Sequence, residues 1–280
     1  MVLRTEIGQV AGSFGIDHND KLVMLGSCFA DSVGRKLSDD GFAVMHNPGG
    51  PLYNACSLAR MLRRREPYCE SDLYLHDGVY HCLDFASRYS SADARALLTS
   101  VNTVQNNLYN ALQEATVLIL TLGTAGIYEF LARGEVAGNC HRLPASLFNR
   151  RMLTVAEMVD ALAEPLQNID AHLVITVSPV RYTDGGLTVC GLSKARLRVA
   201  ADELCRLTGA DYFPSYEILN DDLRDYRFYA VDMKHPSDVA VDYIYQTFCG
   251  TYMSAATIEQ ARLCRKEAAR ARHIPDYHKE

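Results

Sequence analysis

No tryptophan occurs among the 280 residues, against 16 tyrosines. Tyrosine rings can line a saccharide groove or pack a core, and the core is the expectation here. Long hydrophobic runs are also missing: none approaches the ~20 residues a membrane-spanning helix needs, so no membrane span is expected. Basic residues are in deficit, 28 Lys and Arg against 34 Asp and Glu for a net charge of −6. Phosphate backbones require a basic stripe, so no nucleic-acid partner is expected. The first twenty residues hold no apolar core of signal-peptide length, which makes the cytoplasm the default expectation. The nine cysteines are odd in number, irregularly spaced and without a CxxC pair. They read as reduced thiols, not as a disulfide framework or zinc site. No HExxH, Walker A or GxGxxG pattern is present, and no metal or cofactor is expected. Without repeats, low-complexity tracts or linkers, residues 1–280 read as one domain of ordinary globular composition.

What is present is an alternation of short apolar runs and helical periodicity. Strands are expected at Leu22–Leu25, Phe42–Met45, Val117–Leu122, Leu173–Val177 and Tyr212–Phe213. Helices are expected at Ala30–Asp40, Ala55–Arg64, Ser91–Glu114, Thr154–Asn168, Ser193–Leu207 and Pro236–Met253, and a basic tail helix lies between Ala255 and His273. Parallel strands need crossovers, so the pattern predicts an α/β protein with a central parallel sheet flanked by helices. Asp77-Gly78 within LYLHDGVYHCLDF marks a hairpin insertion at residues 73–85, and residues 128–144 read as another. The tail cations Arg262, Arg265, Lys266, Arg270 and Arg272 read as the solvated face of the last helix. Asp221, Asp222 and Asp225, interleaved with Arg224 and Arg227, read as a local ion-pair network.

Gly26-Ser27-Cys28 falls at the carboxyl end of the first strand, where ligands bind in open α/β sheets. Taken alone, Ser27 reads first as the cap of the following helix. Near the other end, Asp232 and His235 stand three residues apart in YAVDMKHPSD. A serine hydroxyl needs an imidazole to take its proton, and the imidazole needs a carboxylate to hold its tautomer. Pro236 is expected in the first turn of the next helix, where it would help orient the ring. Chain order, serine after the first strand and DxxH beyond the last, makes Ser27, His235 and Asp232 a candidate triad. Cys28 competes, because a helix N-terminus lowers a thiol's pKa. Adjacent side chains at a strand end diverge, so only one of the two can face the crevice.

Gly26-Ser27-Cys28-Phe29-Ala30 spells the motif of the GSCFA family, which resembles the SGNH/GDSL hydrolases. NPGGPLYN (47–54), TLGTAGIYE (121–129), NCHRLP (139–144), TVSPVR (176–181), SKARL (193–197) and DMKHPS (232–237) extend the resemblance over Leu22–Phe248. It implies a flavodoxin-like (SGNH-type) fold with small hairpin insertions. It selects Ser27 as nucleophile with His235 as base and Asp232 as its orienting acid, and it implies that Cys28 is a small buried residue. The implied activity is hydrolysis of a small acyl ester, such as an O-acetyl group on a carbohydrate, through an acyl-serine intermediate. An O-acyltransferase using the same triad and a catalytically silent ligand-binding domain are the alternatives. Of three implied oxyanion donors, one is the nucleophile's own N–H and the second matches Gly50. The third, an asparagine side chain, falls at Ala125 in Gly123-Thr124-Ala125-Gly126, so its place must be filled by Thr124, Asn54, a backbone N–H or another group. A lost oxyanion donor costs ~10²–10³ in rate.

Asn54 reads equally as a wall of the site and as a helix cap. The Cys140-His141 pair offers too few ligands for zinc, and His141 reads as a polar residue at the crevice rim. Arg181 reads as holding either a substrate carboxylate or an acidic loop of its own chain.

Overall fold

The computed structural model describes residues 5–8 and 10–272; His273, the end of the basic stretch, lies outside them. In chain order the strands are β1 (Lys21–Gly26), β2 (Ala43–His46), β3 (Leu73–His76), β4 (Val79–Cys82), β5 (Ser90–Ser91), β6 (Val117–Leu122), β7 (Gly126–Phe130), β8 (Glu135–Val136), β9 (Phe148–Met152), β10 (His172–Val177) and β11 (Asp211–Phe213). The helices are α1 (Cys28–Asp39), α2 (Ala55–Arg63), α3 (Ala94–Glu114), α4 (Val155–Gln167), α5 (Gly186–Thr208), α6 (Ser215–Glu217), α7 (Asp238–Tyr252) and α8 (Ala255–Arg272). Five strands form a parallel sheet in the order β11-β10-β6-β1-β2. This is the doubly wound, flavodoxin-like order, whose switch point lies between β1 and β6. Two three-stranded antiparallel sheets, β3-β4-β5 and β8-β7-β9, are the insertions.

The continuous apolar run of β1 is required because both faces of the sheet are covered. Successive side chains alternate: Val23 and Leu25 join a core that includes residues of α2, α3, α4 and α5, and Leu22 and Met24 join one that includes residues of α1 and α7. Helix α5 starts at Gly186, well before the expected Ser193, because its first turns carry exposed residues such as Leu187 and Leu192 and show no buried stripe. Helix α7 starts after Ser237, whose hydroxyl accepts the Ala240 N–H. Pro236 is therefore not in the first turn; it pairs with Tyr229 in an isolated antiparallel bridge.

The tail helix does not merely solvate a surface. Arg265 donates to Asp40 at 2.6 and 2.5 Å, and Tyr245 donates to the same carboxylate at 2.7 Å, joining α8 and α7 to the end of α1. Asp40 is fully buried, and charge-assisted bonds of this kind compensate its desolvation. The aspartate cluster near residue 222 contains both an ion pair and a hydrogen-bonded carboxylate. Arg227 pairs with Asp225 at 3.0 Å, whereas the buried Asp222 accepts a hydrogen bond from the Tyr243 hydroxyl. Among the described residues, no helix is long and apolar enough to cross a membrane.

Candidate active site

The strand-to-helix junction is built by backbone constraints. Gly26 has φ +134°, and a Cβ there would lie 2.1 Å from the Thr121 carbonyl oxygen, so only glycine lets β1 turn this close to β6. Asn47, buried and itself at φ +38°, locks the turn: its Oδ1 accepts the Gly26 N–H at 2.9 Å and its Nδ2 donates to the Ser27 carbonyl at 3.2 Å. Asn47 is a site-building residue that motif reading passed over, because its role depends on a neighbouring strand.

Ser27 is the N-cap of α1. Its hydroxyl accepts the Phe29 N–H at 3.3 Å and donates to the Ser178 hydroxyl at 2.9 Å, and the residue is 1% exposed. It makes no hydrogen bond with His235. The side chain that reaches the open crevice is Cys28, partly exposed at the first position of α1. It lines a cavity of about 210 Å³ together with Phe29, Asp31, Val180, His235 and Pro236. The divergence of neighbouring side chains expected at this junction is observed, with the thiol outward and the hydroxyl inward. Burial and then the Asp31 carboxylate push the Cys28 thiol up. Its own N–H, the Lys194 ammonium and the Phe29 N–H pull the other way. The net shift is upward, which favours the protonated thiol. Asp31 is itself held by His46, Oδ1 to Nδ1 at 2.9 Å.

An imidazole that lines the same cavity, His235, is carried by a tight loop. Asp232 Oδ1 accepts the Lys234 and His235 N–H groups at 2.9 and 3.0 Å, and Oδ2 meets His235 Nδ1 at 2.5 Å. The ring hydrogen bond and these backbone bonds hold the Asp232 carboxyl well below its ordinary range. A carboxylate only accepts, so the proton resides on Nδ1 and Nε2 remains available as a base. Met233, at φ +56°, makes the turn between the two residues. The loop is closed by Ala230 N–H to the His235 carbonyl (2.8 Å) and by the Arg181 N–H to the Lys234 carbonyl (2.9 Å). The Arg181 guanidinium stacks 4.0 Å from the Tyr229 ring centre and 5.2 Å from that of Tyr226. Arg181 thus grips aromatic rings of its own chain, in place of an acidic loop.

The remaining candidates sit around this centre with their groups engaged. The Gly50 N–H donates to the Asn47 carbonyl at 2.8 Å, in a turn where φ is +95°. The N–H groups of Gly123 and Thr124 both donate to the Tyr53 carbonyl, at 3.0 and 2.8 Å. The Thr124 hydroxyl meets Ser193 at 3.2 Å and accepts the Gly126 N–H, while the Ala125 N–H donates to Ser193 Oγ at 2.8 Å. Asn54 caps α2 by accepting the Ser57 N–H at 2.9 Å. Tyr53 is a new member of the surroundings. Its phenol is pushed up to about 12, by burial first and then by Cys28 and Asp31, so it stays a neutral donor.

His141 is not at the crevice rim. It is 7% exposed, with Nε2 2.9 Å from the Cys82 and Phe85 carbonyls and Nδ1 2.9 Å from Ser90 Oγ, tying the hairpin insertion to the loop before β9. Burial, then the neighbouring His81, lowers its pKa to about 4. The unfolded chain takes up this proton near pH 6.5 and the folded chain only near 4, so stability falls as pH drops through that window. We expect a loss of about 3 kcal/mol between pH 7 and 4 from this residue. Denaturant titrations of the parent and His141→Gln should show a shallower acid dependence in the variant; parallel curves would refute this assignment.

The sheet order defines a doubly wound α/β protein, with a cavity beyond the end of β1 that Cys28 and His235 line and a carboxylate, Asp232, bonded to the His235 ring. The chain belongs to the GSCFA family, whose model matches residues 21–248. A search of solved structures matches a protein described as a putative SGNH hydrolase from Slackia heliotrinireducens, at 14% identity and a TM-score of 0.41, covering 83% of this chain and 98% of that one. No curated protein matches the chain.

Proposed function

We propose that the chain is an ester hydrolase of SGNH type that works through an acyl-enzyme on Cys28. The observation that carries this reading is the cavity lined by both Cys28 and His235, with Asp232 orienting the imidazole. His235 Nε2 takes the thiol proton as Sγ attacks the ester carbonyl. The C–O bond to the alcohol then breaks and the imidazolium returns the proton to the leaving oxygen. Water, deprotonated by the same nitrogen, attacks the thioester and releases the acid and the free thiol. Cys28 is the first residue of α1, so the positive end of that helix favours the negative charge that develops there. A cavity of about 210 Å³ suits a small acyl group, such as an O-acetyl ester on a carbohydrate.

The reading replaces Ser27 by its neighbour, since a serine route requires the hydroxyl to leave Ser178 and the interior. The test is hydrolysis of p-nitrophenyl acetate with mass spectrometry of the acid-quenched enzyme. We expect a 42 Da acetyl adduct, about the mass of one acetyl group replacing a proton, on the peptide carrying Cys28 and not on its serine. An adduct on Ser27 would overturn the nucleophile, and no hydrolysis above the His235→Ala background would indicate a silent binding domain. Acylated alcohol in excess of free acid, when a labelled donor and an alcohol are both supplied, would make the enzyme a transferase.

A further inference from the structure

The cavity that Cys28 and His235 line has a polar wall, and helix α1 supplies it. Cys28, Asp31, Ser32 and Arg35 all border the cavity, and their spacing of i, i+3, i+4 and i+7 puts them on one face of the helix. Apart from His235, the rest of the lining is apolar: Phe29, Val180, Pro236 and Val241. Asp31 and Arg35 stand four residues apart, the spacing at which a carboxylate and a guanidinium on a helix pair readily. They do not pair here, because Asp31 Oδ1 instead accepts from His46 Nδ1 at 2.9 Å. The His46 ring reaches it by lying against α1 at Gly34, where an added Cβ would come within 2.6 Å of the ring. Glycine weakens a helix interior relative to alanine, and the seat for this imidazole is what it provides. Arg35 is left exposed, and among the described residues no hydrogen bond or ion pair engages it.

We propose that Arg35 sets the specificity of this cavity by holding a carboxylate on the alcohol half of the ester, so that the substrate is the acyl ester of a hydroxy acid, such as an O-acetylated sugar acid. The inference rests on the acyl-enzyme reading of Cys28 and names the alcohol for it. Seven residues of helix separate the thiol from Arg35, about 10 Å of rise, and helical side chains lean toward the N-terminus, which brings the guanidinium back toward the thiol. What remains between them suits one six-membered ring with the ester at one end and the anion at the other. Asp31 stands along that span with Oδ1 engaged by His46, and among the described residues nothing donates to its Oδ2, which can accept a ring hydroxyl. The planar guanidinium fork matches a carboxylate. A dianionic phosphate would meet the Asp31 charge in the same wall, so a singly charged group fits better.

The experiment compares para-acetoxybenzoate with para-acetoxybenzamide, acetyl esters of the same shape that differ by one charge, in the parent chain and in Arg35→Gln. The ratio of kcat/KM for the acid over the amide should fall about fivefold in the variant, through KM and not kcat, because the ion pair holds substrate and transition state alike. Arg35→Lys should restore part of the preference, since it keeps the charge without the fork. Arg35 is exposed and unpaired, so these variants should fold as the parent does. A ratio that Arg35→Gln leaves unchanged overturns the proposal, whether or not both rates fall. The same charge comparison is made without turnover by alkylating Cys28 with para-(bromomethyl)benzoate and para-(bromomethyl)benzamide, read by mass spectrometry of its peptide. Thiol reactivity cancels in that ratio, which should also fall about fivefold on loss of the arginine. If no ester is hydrolysed, the alkylation ratio decides: a fall sustains the carboxylate site while the hydrolase reading fails, and an unchanged ratio ends both.

Discussion

Cys28→Ala should lower the rate of p-nitrophenyl acetate hydrolysis by at least about 10³-fold, whereas Ser27→Ala should retain activity within about tenfold of the parent. The contrast follows from two neighbouring side chains with opposite surroundings. The thiol opens to the cavity that His235 lines; the hydroxyl is sealed between α1 and the end of β10. Removing the hydroxyl deletes a helix cap and one neutral hydrogen bond, so the expected penalty for Ser27→Ala is stability, about 1–2 kcal/mol in a denaturant melt. Cys28→Ser keeps a nucleophilic atom at the right place and should fall between the two, since a hydroxyl is harder to activate with the same base. An inactive Ser27→Ala beside an active Cys28→Ala would return the reaction to the serine.

A drop of about 10³–10⁴ in kcat is expected for Asp232→Asn, with little change in folding. The carboxylate accepts the ring N–H and two backbone N–H groups, so its loss releases the tautomer that keeps Nε2 free. An asparagine can present its NH₂ to the ring and favour the opposite tautomer, which places a proton where a base is needed. Asp232 and His235 are each about half exposed, so the substitution leaves no buried group unpaired and the protein should melt as the parent does. The carboxyl is held well below its usual range and remains ionised in mildly acidic solution, so acid loss of activity above pH 4 does not arise from this residue. A variant with more than a tenth of parental kcat would mean that the loop geometry alone orients the imidazole. In that case Asp232 belongs to the turn rather than to the chemistry.

Much of the architecture was legible because burial on both faces forces a distinctive pattern. Val117–Leu122 has to be apolar at every position, and both its ends coincide with the observed β6. Gly26, Asp77-Gly78 and the DxxH spacing were readable for the same reason, since each reports a local backbone demand. The α5 start was not legible, because its first turns bury no stripe. The surroundings of His141 and Arg181 were not legible because their partners lie far along the chain: the Cys82 and Phe85 carbonyls for one, the Tyr226 and Tyr229 rings for the other. SKARL was visible as a block, yet nothing local distinguishes a lysine on a solvated face from one that, like Lys194, donates to the Gly123 and Ser178 carbonyls at the ends of two strands.

By itself the amino-acid sequence determined that a parallel α/β sheet forms, that a hydroxyl and a thiol meet at its first strand end, and that a carboxylate and an imidazole share one turn. Hydrophobic periodicity and short-range turn chemistry act within a few residues and are written directly in residue order. Only the tertiary structure decided which of the two neighbours faces the cavity, and that an imidazole from the far end of the chain lines it too. Those outcomes depend on the direction of a side chain relative to Ser178 and His235, which are more than 150 residues from Ser27 in the chain and within reach only once the sheet has assembled.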